Sequence, residues 1–181
     1  MIILIGPAGA GKSTQGQLLA ERLGWNWMSA GQLLREANNP ELLKIMNDGV
    51  LVPSHFVNEL MIAGIKKAPD QKKIILDGFT RKIEEVHHLI ETQTEHGGNV
   101  DLAIVLDIDK ENILKRLGLR GRNDDKPEAI EQRLTEFHRS FDPILEYLKS
   151  QNIKISHVNG VGTIEEVYQR ILKELTACNL I

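Results

Sequence analysis

Residues 1–14 read MIILIGPAGAGKST, and this stretch decides the fold. Met1 to Ile5 is apolar at every position, as in a strand that is buried on both faces of a sheet. Gly6 to Ser13 fits the pattern G-x-x-x-x-G-K-[ST], and residues 12–23 continue with leucines at helical spacing. A strand, a glycine-rich turn and a helix in this order are the context in which the pattern forms a phosphate-binding loop.

Later apolar runs extend this opening into a doubly wound α/β fold with a parallel sheet. Three more strands are predicted, at Lys73–Leu76, Leu102–Asp107 and Ile153–Val158. An amphipathic helical run follows each of them, as expected for parallel strands joined by helical crossovers. Residues 30–67 read as several helices without a central strand, and residues 120–127 are short and highly charged. We expect both stretches to be mobile excursions beside the nucleotide site, and Trp25 and Trp27 to be packing residues.

Composition excludes several classes of protein. The 181 residues amount to about one domain, and no linker divides residues 1–181. A net charge of −3 excludes a generally basic nucleic-acid binder, and 4% aromatic residues weaken any base-stacking platform. The single Cys178 forms neither an internal disulfide nor a multi-cysteine zinc site, and no apolar run reaches the length of a membrane span. We therefore expect a cytoplasmic protein without nucleic-acid or membrane partners.

The phosphate-binding loop predicts a magnesium-bound polyphosphate ligand. Its backbone N–H groups, the following helix N-terminus and the Lys12 ammonium all supply positive potential. The hydroxyl of Ser13 is suited to a magnesium ligand, and Asp77 ends a buried strand where a carboxylate would lie near the same ion. A strand-ending aspartate can instead cap the next helix, so this second role stays open for Asp77.

Several arginines form a third group of candidate phosphate ligands. Their planar guanidinium forks bond two phosphate oxygens at once. Arg116 and Arg120 are spaced i, i+4 on a predicted helix face. A solvated surface of weak ion pairs is the alternative, because acidic residues are close in sequence. The candidates are Arg35, Arg81, Arg116, Arg120, Arg122 and Arg133.

Five motifs occur in order along residues 1–175. They are GPAGAGKST at 6–14, SAGQLLR at 29–35, GVLVPS at 49–54, DGFTR at 77–81 and RGRNDD at 120–125. Together they resemble the adenylate kinase family of nucleoside monophosphate kinases, in its form with a short lid. The resemblance implies a monomer with a five-stranded parallel sheet, a flap at residues 29–52 that binds the monophosphate, and a lid at residues 121–126.

The resemblance also implies the residues that bind each substrate. For ATP they are Gly9, Ala10, Gly11, Lys12, Ser13, Thr14, Arg116, Arg120 and Gly162. For the nucleoside monophosphate they are Ala30, Arg35, Val50, Leu51, Val52, Gly78, Phe79, Thr80, Arg81, Glu85, Arg122 and Arg133. The transferring phosphoryl group would be stabilised by Lys12, Arg81, Arg120, Arg122 and Arg133. Mg²⁺ would be held by Ser13 and Asp77 through water.

The implied activity is reversible phosphoryl transfer from Mg-ATP to a nucleoside monophosphate, with AMP as the expected acceptor and ADP as the product. The chain departs from the family pattern in the acceptor motifs, where Thr, Asp, Pro and Gln are usual. A pyrimidine monophosphate kinase, favoured by Ala30, and an inactive nucleotide-binding sensor therefore remain as alternatives. Glu85 replaces an amide with an ionised group that only accepts hydrogen bonds, so UMP is expected to be the poorest acceptor. The departures are Ala30, Gln32, Thr80 and Glu85.

Overall fold

Five parallel strands form the central sheet of the part of the chain that the structure describes. The structure is a computed structural model, and it describes residues 1–121 and 126–181 apart from the side chain of Arg120. The strands are β1 Ile2–Ile5, β2 Asn26–Ser29, β3 Ile74–Asp77, β4 Leu102–Asp107 and β5 Lys154–Asn159. Across the sheet their order is β2-β3-β1-β4-β5, and every neighbouring pair is parallel. This order confirms the predicted α/β class.

Helices connect the strands, because parallel strands cannot be joined by tight hairpins. In the described ranges the structure has eight of them. They are α1 Lys12–Leu23, α2 Ala30–Glu36, α3 Pro40–Asn47, α4 Ser54–Lys67, α5 Ile83–Glu95, α6 Lys110–Arg120, α7 Pro127–Ser150 and α8 Ile164–Ala177. Within those same ranges, no helix combines the length and the apolar character that crossing a membrane requires.

Alternate residues of the strands pack into two hydrophobic layers on opposite faces of the sheet. Ile3 and Ile5 of β1 belong to the layer that contains the apolar faces of α4, α5 and α7. Ile2 and Leu4 belong to the opposite layer, with α1 and α8. Since both faces are covered, the central strands are continuously apolar, as the sequence of β1 predicts.

The residue pattern locates four of the five strands. The helix α1 and the strand β4 have the predicted bounds, whereas β3 and β5 are each displaced by one residue. The pattern misses β2, whose four residues begin and end with polar side chains and follow α1 after only two residues. Trp25 and Trp27 pack against the core, as predicted.

The carboxyl ends of the parallel strands meet at one edge of the sheet. There β1 leads into the phosphate-binding loop, and β2 leads directly into α2. The strand register places Asp77, the last residue of β3, level with Leu4 on one side and Ser29 on the other. This edge therefore positions the loop, the candidate magnesium ligand and the start of α2 side by side.

Gly16 lets α1 approach the sheet closely, because a Cβ at this position would overlap the indole ring of Trp27. We expect Gly16→Ala to destabilise the protein, since overpacking costs about 1–3 kcal/mol and the better helix propensity of alanine offsets only about 1 kcal/mol. Urea unfolding measures this difference. Gly118→Ala in α6 is the matched control, because a Cβ there meets nothing within 4 Å and the change should be neutral or stabilising. Equal stability changes in the two variants would contradict the packing argument.

Candidate active site

A cavity of about 530 Å³ opens at the carboxyl edge of the sheet. This volume lies within the range of ordinary small-molecule sites, about 300–1,000 Å³. One end is formed by the phosphate-binding loop and the segment after β5, and the other by α2, the residues before α4 and the start of α5. The cavity thus connects the predicted donor and acceptor ends without an intervening wall.

The phosphate-binding loop turns sharply between β1 and α1. Gly9 and Gly11 both have positive φ angles, 83° and 98°, which side chains with a Cβ rarely adopt. Gly11 is the N-cap of α1, so the first N–H groups of the helix lie at the cavity. The Nζ atom of Lys12 donates to the carbonyl oxygens of Gly6 and Pro7, at 2.7 and 3.0 Å. The lysine is therefore folded back along its own loop, in the position where polyphosphate oxygens would meet it.

Ser13 and Asp77 form a pair of oxygen donors beside this loop. The hydroxyl of Ser13 donates to Oδ2 of Asp77 at 2.5 Å, and the carboxyl group of Asp77 is buried. Mg²⁺ prefers oxygen ligands and binds through one or two protein groups together with waters and substrate phosphates. Among the described residues no cluster of three or more His, Cys, Asp or Glu side chains could hold a metal. The hydroxyl and carboxylate pair therefore fits a magnesium ion that is shared with a nucleotide.

Arg116 connects the phosphate-binding loop to the segment after β5. Its two terminal nitrogens donate to the carbonyl oxygens of Ala10 and Gly160, at 3.2 and 2.8 Å. Gly162 follows in the same segment and also lines the cavity. The guanidinium group consequently holds together the two segments that the resemblance assigns to ATP.

The acceptor end combines an apolar slot with cationic side chains. Ala30, Leu34 and Val52 are buried and line the cavity. The cationic residues that line it with them are Arg35, Arg81 and Arg133. An apolar slot beside several guanidinium groups suits a flat base that carries a phosphate group.

Glu85 is the buried ionisable residue at this end of the cavity, with 2% of its surface exposed. Its Oε2 atom accepts hydrogen bonds from the backbone N–H groups of Arg81 and Lys82, at 2.9 and 3.3 Å. The carboxyl group therefore caps the first turn of α5 while it lines the cavity.

Burial raises the pKa of Glu85 above its ordinary value, because the apolar surroundings penalise the charged form. The two backbone hydrogen bonds and the positive charges of Arg81 and Lys82 act in the opposite direction without reversing the effect. This changes the sequence-based expectation, which treats Glu85 as a simple carboxylate. The neutral form of Glu85 therefore persists to higher pH than that of a glutamate on the protein surface.

The comparisons with known proteins agree with this geometry. The family model described as adenylate kinase matches residues 4–153. Adenylate kinase from Mycobacterium tuberculosis (strain ATCC 25618 / H37Rv) is 34% identical over 180 residues, covering 96% of this chain and 98% of the relative. The chain belongs to the adenylate kinase family. Adenylate kinase from Bacteroides fragilis (strain YCH46) is 32% identical over 182 residues, covering 95% of this chain and 96% of the relative.

Most of the residues that the family resemblance selects meet at the cavity. Phe79 is an exception, because its side chain is 1% exposed and belongs to the hydrophobic core instead of the cavity wall. The side chain of Arg120, Arg122 and the middle of the predicted lid, residues 122–125, lie outside the described residues. The predicted residues that line the cavity are Gly9, Ala10, Gly11, Lys12, Ser13, Thr14, Ala30, Arg35, Val50, Leu51, Val52, Asp77, Gly78, Thr80, Arg81, Glu85, Arg116, Arg133 and Gly162.

Two residues that position parts of this adenylate kinase family site are not evident from the sequence. The Nζ atom of Lys82 donates to the carbonyl oxygen of Val52 at 3.2 Å and so links the start of α5 to the acceptor slot. Gln15 is buried, lines the cavity and donates to the carbonyl oxygen of Ile164 at 2.9 Å. Both contacts join segments far apart in the chain, so no local pattern could have shown them.

The raised pKa of Glu85 predicts a pH-dependent stability. The native state binds a proton on Glu85 more tightly than the unfolded chain does, so this proton stabilises the native state. The stabilisation is present at low pH and is lost as the pH rises from the ordinary glutamate value of 4.5 through the native pKa. Relative to wild type, Glu85→Gln should gain unfolding free energy across that window, by at most about 1.4 kcal/mol per pH unit.

Denaturant unfolding at a series of pH values measures this difference. Glu84→Gln is the control, since it removes the same charge from an exposed position in the same turn. Parallel stability profiles for Glu85→Gln and wild type would contradict the assignment of a raised pKa to Glu85.

Proposed function

We propose that this member of the adenylate kinase family transfers the terminal phosphoryl group of Mg-ATP reversibly to AMP and releases two ADP. The observation that carries this proposal is the cavity that the phosphate-binding loop shares with the apolar slot and with Arg35, Arg81 and Arg133. A nucleotide at each end would bring one phosphate chain toward the other. The curated relatives that carry the name adenylate kinase support the same activity.

The chemistry requires positioning and charge stabilisation rather than proton removal. An acceptor phosphate oxygen, already ionised at neutral pH, would form the new bond to the γ-phosphorus, while the bond to the β,γ-bridging oxygen breaks and leaves ADP. We assign stabilisation of the transferring group to Lys12, Arg81 and Arg133 together with Arg120 and Arg122. Fixed positive groups are effective here because negative charge spreads over the transferring oxygens.

Ser13 and Asp77 are the residues that would hold Mg²⁺ in this reaction. Their hydrogen bond fixes both oxygens beside the loop that binds the polyphosphate. When bound, the ion would neutralise phosphate charge and orient the nucleotide phosphates. The chain itself contributes the hydroxyl and the carboxylate and keeps them in place.

Exclusion of water is the second task of the site, since water near the γ-phosphate would hydrolyse ATP. We assign this task to the flap at residues 29–52 and the lid at residues 121–126, which would close over the two ends. Two observations support the flap assignment. Val50, Leu51 and Val52 line the cavity. The Nζ atom of Lys82 also donates a hydrogen bond to the backbone carbonyl oxygen of Val52.

We also propose that the protein acts in the cytoplasm as a monomer. The resemblance to the adenylate kinase family supports the monomer. Cys178 is a free thiol, which a reducing compartment preserves.

Lys12→Met tests the role of the phosphate-binding loop. We expect kcat to fall by about 10²–10³-fold, the usual cost of removing a preorganised charge, while far-UV circular dichroism stays unchanged. Lys173→Met is the control, because this lysine is exposed on α8 away from the cavity. Near-normal turnover by folded Lys12→Met would contradict the role that the proposed mechanism gives to Lys12.

A coupled ADP assay with AMP, CMP, UMP and GMP tests the choice of acceptor. We expect AMP to give the highest kcat/KM, with Mg-ATP as donor and no turnover when Mg²⁺ is chelated. Preference for CMP or UMP would establish the pyrimidine alternative that Ala30 favours. Binding of ATP without turnover of any monophosphate would establish the nucleotide-binding sensor.

A further inference from the structure

Two carboxyl groups in the cavity wall are buried, and only one of them lies at the acceptor end. Among the described residues that line the cavity, Asp77 and Glu85 are 3% and 2% exposed. Asp77 accepts a hydrogen bond from the hydroxyl of Ser13 beside the phosphate-binding loop. Glu85 lies in the first turn of α5. Its neighbour Lys82 donates a hydrogen bond to the backbone of Val52, which forms the acceptor slot with Ala30. Glu85 is therefore the buried carboxyl group that the edge of a base in this slot would meet.

The two oxygens of Glu85 are not equivalent. Both hydrogen bonds that the carboxyl group makes to described residues end on Oε2. When Glu85 is neutral, the oxygen that accepts the two N–H groups is its carbonyl oxygen, so the proton then lies on Oε1. The atom Oε1 consequently donates a hydrogen bond when Glu85 is neutral and only accepts when Glu85 is ionised.

Nucleobases differ at the position that such an atom would contact. The ring nitrogen on the pairing edge accepts a hydrogen bond in adenine, at N1, and donates one in guanine, at N1–H. A donor on Oε1 therefore matches adenine, and an acceptor matches guanine. A mismatch leaves two like groups facing each other in a buried site, which enzymes discriminate against strongly.

We propose that the proton on Oε1 of Glu85 determines the acceptor base, with the neutral acid selecting AMP and the carboxylate shifting the preference toward GMP. This inference rests on the proposed function of the cavity and specifies how its acceptor end reads a base. AMP binding then takes up a proton wherever free Glu85 is ionised, because the bound base requires the neutral form.

The surroundings of Glu85 shift its ionisation equilibrium toward the neutral acid. Burial raises the pKa of this carboxyl group, against the hydrogen bonds and charges of Arg81 and Lys82. The titratable groups of the packed helix α4 are exposed, namely His55, Glu59, Lys66 and Lys67. The other charged groups that line the cavity are Lys12 of α1, Arg35 of α2, Asp77 of β3, Arg116 of α6, and Arg133 and Glu136 of α7.

The test is the ratio of kcat/KM for AMP to that for GMP, measured from about pH 5.5 to 8.5 with fixed Mg-ATP. Titration of the acceptor phosphate is common to both substrates and cancels in the ratio. We expect the ratio in wild type to fall by about tenfold or more as the pH rises, the range that a buried polar mismatch produces. In Glu85→Gln, whose amide donates at every pH, the ratio should stay high and flat.

Glu84→Gln is the matched control and should follow wild type, because it removes an exposed charge from the same turn of α5. Calorimetry of AMP binding in two buffers of different ionisation enthalpy gives a second readout. Wild type and Glu84→Gln should take up more protons than Glu85→Gln. This readout does not depend on turnover.

A wild-type ratio that does not change with pH would overturn the proposal, and it requires no variant. Equal proton uptake by wild type and folded Glu85→Gln would overturn it as well. Failure of the proposed function looks different, since wild type would then turn over none of the monophosphates at any pH.

Discussion

Parallel pairing of the strands is the constraint on which the rest of the structure depends. It places the carboxyl ends of all five strands on one edge, so the segments that leave β1, β2, β3 and β5 share one cavity. The loop after β1 supplies positive potential, the end of β3 supplies Asp77, and the segment after β5 supplies the carbonyl oxygen that Arg116 binds. None of these groups is close to the others in sequence, and the sheet alone makes them neighbours.

The short segment between β3 and α5 joins the two chemical halves of the site. It begins at Asp77, which pairs with Ser13, and it ends at the first turn of α5, which Glu85 caps. Two buried carboxyl groups thus stand eight residues apart with different partners, one a side-chain hydroxyl and the other two backbone N–H groups. Different partners let one face a magnesium-bound phosphate chain and the other face a base.

Local patterns account for the parts of the fold that are regular along the chain. The apolar run of β1, the glycines of the loop and the leucine spacing of α1 are visible without any tertiary information, and the structure reproduces them. The edge strand β2 is missed because its backbone is paired on one side only and its side chains need not be uniformly apolar. Its neighbour β3 supplies the pairing, and the pattern of residues 26–29 does not contain that information.

The candidate site likewise contains residues that the sequence predicts and contacts that it does not. The motif predicts Lys12 and Ser13, and the end of a buried strand predicts Asp77. Other parts of the site depend on contacts between distant segments. These are the hydrogen bond from Lys82 to Val52 and the hydrogen bonds from Arg116 to Ala10 and Gly160. The burial of Glu85, and with it the rise in its pKa, follows from packing around α5 and is invisible in residue identity.

The close approach of α1 to Trp27 has a spectroscopic consequence. The chain contains two tryptophans, and both pack in the hydrophobic layer that faces α1 and α8. Trp27 also borders a shallow groove together with Ser13 and Thr14, at the end of the phosphate-binding loop. Intrinsic indole fluorescence therefore arises from the side of the sheet that carries α1, since the described residues that line the main cavity include no tryptophan.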